Sequence, residues 1–314
     1  MTDASVAGAE TPSSRAREAV RGAYDLHIHV GPDVMKRRID DVTLAERFLE
    51  VGLRGFALKS HYTSTAERAQ VVKRAVPGID AIGTLTLNAS IGGLNPLAIE
   101  IAAREGARIV WLPTVDSVNE SDERDREYPE GVPKPAWARI QAELHEQGID
   151  AAPVAVVDAA GEPLPQLIAV LDLIARHRLV LATGHLSRDE IFTVVDAAQA
   201  AGVAHVVVTH PEFPSEDIGI DDQVALVERG AILERCFTTP YTGKCTWERV
   251  FEGIRATGVA SNLLSTDLGQ PPNPPVEDGL ALFADRLFEA GFSDEEVRMM
   301  TVVNSSILAG GEPR

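Results

Sequence analysis

The chain has 314 residues, 45% apolar and 24% charged, an ordinary balance for a globular protein able to bury a large core. Acidic residues number 47 against 29 basic ones, for a net charge of −18. A surface that negative repels phosphate backbones and anionic lipid, which argues against nucleic-acid and membrane partners and leaves a small molecule or further copies of the chain.

The opening stretch, MTDASVAGAETPSSRAREA, has no basic segment followed by an apolar one. It reads as a flexible tail over residues 1–19 and not as a signal peptide, with the folded unit spanning 20–314. No apolar run is long enough to span a bilayer. From about residue 20, short runs rich in Val, Ile and Leu alternate with amphipathic stretches, the pattern of βα units around a parallel sheet. The expected strands are YDLHIHV (24–30), RGFALKS (54–60), AIGTLTLN (81–88), RIVWLPT (108–114), LVLATGH (179–185), AHVVVTH (204–210), AILERCF (231–237) and NLLSTDL (262–268). Helical patterns fill most of the gaps; Ser187 and Glu190 form a capping-box signature, and several helices close on glycine. Eight such strands predict a (β/α)8 TIM barrel, and the lack of a G-x-G-x-x-G after the first strand removes the main cue for a dinucleotide fold.

Two stretches break the rhythm. Residues 116–137, after the fourth strand, are polar, charged and proline-rich, and read either as a surface insertion or as a mobile cover over the barrel mouth. Residues 150–164 read as a small hairpin around AAGE, added to the barrel and not one of its staves. Cys236 and Cys245 are nine residues apart in no metal-type spacing, and read as reduced thiols of a cytoplasmic protein.

The titratable residues are not scattered. His27 and His29 end the first strand, Lys59 and His61 the second, His185 the fifth, His210 the sixth and Asp267 the eighth. In a barrel those ends converge on one mouth. Alternation along a strand points His27 and His29 the same way, into the barrel. A single buried imidazole is more often a hydrogen-bonded core residue than a ligand. Two on one face, joined by three more and an aspartate, call for a shared partner, and a metal cation serves several at once.

The constellation resembles the amidohydrolase superfamily of metal-dependent hydrolases over nearly the whole barrel. DLHIHVGPD is similar to its His-x-His strand, ATGHLS and VVVTHPEF to its fifth- and sixth-strand histidines, LLSTDLGQ to its eighth-strand aspartate, and MMTVVNSSILAG to its closing Asn-containing segment. The resemblance implies a ligand set of His27, His29, His185, His210 and Asp267. Many binuclear members add a carbamylated lysine or a glutamate from strand four, and RIVWLPT offers neither. Lys59 is the substitute, as a carbamate; otherwise it is a buried cation paired with Asp33 or Asp267, or a contact for an anionic substrate group. LKSHYTST resembles the second motif of the polymerase and histidinol phosphatase family, which would make His61 a ligand.

Imidazole and carboxylate ligands suit one or two divalent ions, zinc or alternatively manganese. The expected activity is hydrolysis of a C–N or C–O bond in a small molecule (amide, cyclic amide, lactone or ester) by metal-activated water, with Asp267 moving the proton and the metal, aided by His61 or Lys59, polarising the carbonyl. Expected substrate contacts are Asn88, Trp111 and Arg188, with Thr114, Glu234 and Cys236 also near strand ends. A phosphoesterase, or a metal-dependent decarboxylase or hydratase, would use the same ligands.

Overall fold

The computed structural model describes residues 11–121, 136–149 and 152–310. Eight strands follow one another in sequence order, β1 (Tyr24–Ile28), β2 (Gly55–Leu58), β3 (Asp80–Thr86), β4 (Ala107–Trp111), β5 (Val180–Ala182), β6 (His205–Val208), β7 (Ile232–Cys236) and β8 (Asn262–Ser265), each parallel to the next. The sheet closes on itself just beyond the strands proper. There the Asp267 amide donates to the His27 carbonyl and the His29 amide to the Leu268 carbonyl, each at 2.7 Å. Six of the eight strands fall inside the segments expected from the sequence, β3 and β4 each begin one residue earlier, and the TIM barrel follows.

Burial explains where the polar residues had to go. Tyr24, Leu26, Ile82, Ile109, Trp111 and Val207 fill the barrel interior, while larger apolar clusters lie between the strands and the surrounding helices. The interior plug leaves the strands' C-terminal ends as the place for titratable side chains. Asp25 fastens the seam below them: its carboxylate accepts from the Thr266 amide at 3.0 Å and from the Thr266 hydroxyl at 2.5 Å, joining β1 to the end of β8.

The tail ends earlier than residue 19. Ser14–Ala19 is a helix capped by Ser13, with Ala16 and Ala19 buried in the core and the Ser13 hydroxyl donating to Asp285 at 2.5 Å. Two alanines three positions apart give a short helix an apolar stripe that charge-rich neighbours hide in the sequence. Residues 1–10 lie outside the described residues. The hairpin stands as expected: Val157 bridges Pro163 antiparallel, Val154 pairs with Ser117, and no strand of the barrel comes from this stretch. Its residues 150 and 151, and residues 122–135 of the polar insertion, lie outside the described residues. Both cysteines are free. Among the described residues no helix is long and apolar enough to cross a membrane.

Candidate metal centre

Five imidazoles meet at the mouth in a closed circuit. Ring centroids are 4.9 Å apart for His29 and His61, 6.1 Å for His61 and His185, 5.0 Å for His185 and His210, 5.9 Å for His210 and His27, and 5.6 Å for His27 and His29. All five are buried. Asp267 completes one side, its Oδ1 lying 3.4 Å from His27 Nε2 and 3.2 Å from His29 Nε2. These three residues bring their ligand atoms within 4.8 Å of one another, close enough to share an ion.

The other ring nitrogens are already engaged. Glu234 Oε2 sits 3.0 Å from His27 Nδ1, Glu120 Oε1 lies 2.7 Å from His185 Nδ1, and Glu216 Oε2 lies 3.4 Å from His210 Nδ1. The last is ion-pair reach but long for a hydrogen bond, and among the described residues the His210 nitrogen has no hydrogen-bond partner. His61 Nδ1 meets the Thr114 hydroxyl at 2.8 Å. A carboxylate on Nδ1 fixes the tautomer that presents Nε2 as a ligand and raises its basicity, the arrangement seen behind metal-binding histidines. Burying three glutamates and five imidazoles is costly unless each has a partner. The donor set therefore fits a divalent cation.

Burial and cationic neighbours keep most of the rings neutral. Burial, with Lys59 beside it, lowers His27; burial and Arg37 hold His29 well below the usual histidine range; burial and His29 do the same to His61. Burial pulls His210 down too, but Glu216 outweighs it and leaves that ring raised. Burial would raise Asp267, yet His27 and His29 hold its carboxyl well below the ordinary aspartate value. Asp267 Oδ2 also accepts from the Thr238 hydroxyl at 3.0 Å.

Lys59 reaches the centre, its Nζ 2.8 Å from His27 Nε2, and burial lowers its pKa. The expected pairing with Asp33 or Asp267 is absent, since neither carboxylate is within ion-pair distance of the amine; Asp33 pairs with Arg37 at 2.5 Å instead. A cavity of about 240 Å3 opens above the histidines, lined also by Arg37, Trp137, Phe213 and Lys244. Trp137, at the far end of the polar insertion, thus reaches the mouth, and Glu120 at its near end reaches His185.

The three expected substrate contacts lie elsewhere. Arg188 is at the first turn of the helix Arg188–Ala200, where its side chain faces outward and pairs with Asp222 at 2.5 Å and Asp189 at 2.6 Å. Trp111 is buried in the barrel plug with its ring 5.6 Å from His27, beneath the centre and out of the cavity. Asn88 is fully buried and works on the scaffold: its amide donates to the His61 carbonyl at 2.9 Å and to Thr114 Oγ1 at 2.7 Å, and its oxygen accepts from the Thr114 amide at 2.8 Å. Thr114 and Glu234 hold His61 and His27 in place, and Cys236 Sγ lies 3.6 Å from His27 Nδ1. Of the other histidines, His177 pairs with Glu100 at 2.7 Å, and neither it, His145 nor His205 is in the imidazole circuit.

Residues 22–234 match the family described as "Family of unknown function (DUF6282)". No curated protein matches the sequence. Solved structures resemble it at low identity. An amidohydrolase from Pseudomonas aeruginosa is 11% identical, with 95% of this chain and 98% of that one covered and a TM-score of 0.62. A metallo peptidase from Rhodobacter sphaeroides, liganded with a phosphinate mimic of the dipeptide L-Ala-D-Ala, is 12% identical over 93% of this chain and 99% of that one, with a TM-score of 0.61. A putative 2-pyrone-4,6-dicarboxylic acid hydrolase from Pseudomonas putida is 15% identical over 92% and 97%, with a TM-score of 0.55. At the level of fold, the expected likeness to the amidohydrolase superfamily holds.

Proposed function

We propose that this chain, which belongs to the DUF6282 family, is a metal-dependent hydrolase acting on a C–N or C–O bond of a small molecule. The observation that carries the reading is the circuit of five buried imidazoles closed by Asp267, with glutamates behind three of them. His27, His29 and Asp267 would hold one divalent ion; His185 and His210, with His61 beside them, would hold a second. Neutral imidazoles and a carboxylate suit zinc, and manganese next. The bound ion supplies an acidified water and a polarised carbonyl.

The chain's own groups do the rest. Asp267, held ionised by its neighbours, accepts the proton of the attacking water and returns it to the leaving group. His61, which also lines the cavity, steadies the carbonyl oxygen. Lys59 lies too close to His27 Nε2 to remain an ammonium beside an ion. It joins the ligand set as a carbamate, formed when CO2 adds to the uncharged amine and a proton leaves. The likeness in fold to a metallo peptidase and to a putative pyrone dicarboxylic acid hydrolase supports C–N and C–O bonds as targets.

A panel of amides, lactones and phosphoesters offered to zinc-loaded and manganese-loaded protein tests the reading. Turnover of amides or lactones, lost on chelation, is the expected result; turnover of phosphoesters alone would overturn it. An anomalous map with one ion and an unmodified Lys59 would remove the carbamate.

A further inference from the structure

The cavity runs against the charge of the molecule. In a chain of net charge −18, the described residues that line it include three basic side chains, Arg37, Lys59 and Lys244, and a single carboxylate, Asp267. Lys59 belongs to the ligand layer beside His27, but Arg37 and Lys244 do not. Arg37 is almost completely buried, 5% exposed at the side chain. Its Nε donates to Asp33 at 2.5 Å, Nη2 lies 3.3 Å from His29 Nδ1, and Nη1 makes no hydrogen bond among the described residues.

The loop that carries it is fastened on both sides. The Arg38 amide donates to the Gly269 carbonyl at 2.8 Å, and the Arg38 side chain donates to the Pro271 and Asn273 carbonyls at 2.9 Å. The Gly31 amide donates to the Ile39 carbonyl at 2.9 Å. A guanidinium held this way is organised before any ligand arrives. Lys244, in the loop after β7, has no carboxylate within ion-pair distance among the described residues; its ammonium lies 4.3 Å from the centre of the Phe213 ring, which also lines the cavity.

The contact between Arg37 and His29 is informative. A guanidinium only donates, so His29 Nδ1 must accept here, while Nε2–H faces Asp267 at 3.2 Å. Once His29 offers Nε2 to an ion, its proton sits on Nδ1 and two donors face each other. Arg37 Nη2 then has no acceptor among the described residues.

We infer that the substrate is a small carboxylate whose anion is held by Arg37 and Lys244 while its scissile bond lies over the histidines. The second half of that statement rests on the hydrolase reading above; the first does not. Asp33 already neutralises Arg37, so among the described residues the excess outside the ligand layer is the single charge of Lys244, matched to a monoanion and not to a phosphate dianion. The cavity volume, below the usual range for drug-sized ligands, limits the ligand to a small molecule.

The test is calorimetric titration of chelator-treated and zinc-loaded protein with butyrate, hexanoate and benzoate, each beside its methyl ester, and with inorganic phosphate. At least one acid should bind about tenfold or more tightly than its ester, and Lys244→Glu should weaken that acid roughly five- to tenfold while leaving ester binding unchanged. Lys244 is exposed, so this variant keeps the fold even if Arg37→Met, which strands Asp33, does not. Equal binding of every acid and its ester, an unchanged preference in Lys244→Glu, or phosphate binding more tightly than every acid each overturns the inference. Lost carboxylate preference with zinc-dependent turnover intact sinks this assignment alone. A retained preference in protein that binds no zinc sinks the hydrolase alone.

Discussion

Glu120, Glu234 and Glu216 each stand behind one histidine, and their distances rank what each should be worth. Glu120 to His185 is 2.7 Å, Glu234 to His27 is 3.0 Å and Glu216 to His210 is 3.4 Å, all between buried side chains. Changing each to Gln keeps an acceptor of nearly the same shape and removes the charge that makes the imidazole a better ligand. Loss of such a partner typically costs about 10- to 100-fold in metal affinity, or about 1.4–2.7 kcal/mol. Glu120→Gln and Glu234→Gln should fall in that range. Glu216→Gln, starting from a contact too long for a full hydrogen bond, should lose less than about tenfold. Zinc affinity is measured by competition with a chromophoric chelator, with circular dichroism confirming that each variant is folded. Three folded variants binding zinc as tightly as the parent, or Glu216→Gln losing the most, would refute the role given to these carboxylates.

Asp267→Asn should lower turnover by roughly 10²- to 10⁴-fold while the thermal unfolding profile stays cooperative; undiminished activity removes Asp267 from proton transfer. Asp25 predicts a pH-dependent stability. Burial, opposed by the Thr266 hydrogen bonds, pushes its carboxyl up to about 7 in the folded chain, against about 3.9 unfolded. The folded state therefore binds the extra proton, and its contribution is complete below about pH 4 and lost as pH rises through 7. About three pKa units correspond to about 4 kcal/mol. Urea unfolding should show Asp25→Asn gaining on the parent by a few kcal/mol between pH 4 and pH 8.5; a difference that does not change with pH would sink the idea. Arg188→Ala should leave turnover and melting temperature unchanged in a paired kinetic and calorimetric comparison, and a large rise in KM would return Arg188 to the substrate site.

How far the sequence carried depended on how local the information was. The eight strands were legible because each is a short apolar run and most are followed by an amphipathic helix, and the metal-type residues were legible because they end those strands. A strand end in a parallel barrel has one destination, so position along the chain fixes position in space. The residues that hold the histidines had no such address. Glu120 and Glu216 sit in loops, and Glu234, although near a strand end, meets His27 across the barrel and not a substrate. Arg37 and Lys244 lie in loops after β1 and β7, where nothing in the local pattern marks them off from surface cations. Arg188 misled for the opposite reason. Three positions past His185 looks like the mouth, but Ser187 caps a helix there and the first turn sends the side chain outward.

Of the four non-glycine residues with positive φ among the described residues, two lie at the centre. His210 and Asp267 have φ angles of 26° and 53°, a region side-chain-bearing residues rarely visit, and each lies two residues past the end of a barrel strand. Gly184, with φ 65°, precedes His185, where a Cβ would strike the Leu112 and Pro113 carbonyls; Gly269, with φ 131°, follows Asp267, where a Cβ would strike the His29 carbonyl. Left-handed turns at non-glycine residues cost on the order of 1–3 kcal/mol each and persist only where surroundings enforce them. Here the enforcement is visible. The Asp267 amide is held by the His27 carbonyl and the Asp267 carbonyl by Gln270, while the His185 amide is held by the Pro113 carbonyl. A barrel selected for stability alone has no reason to keep two such turns beside five buried imidazoles, and a ligand set that must converge on one point does.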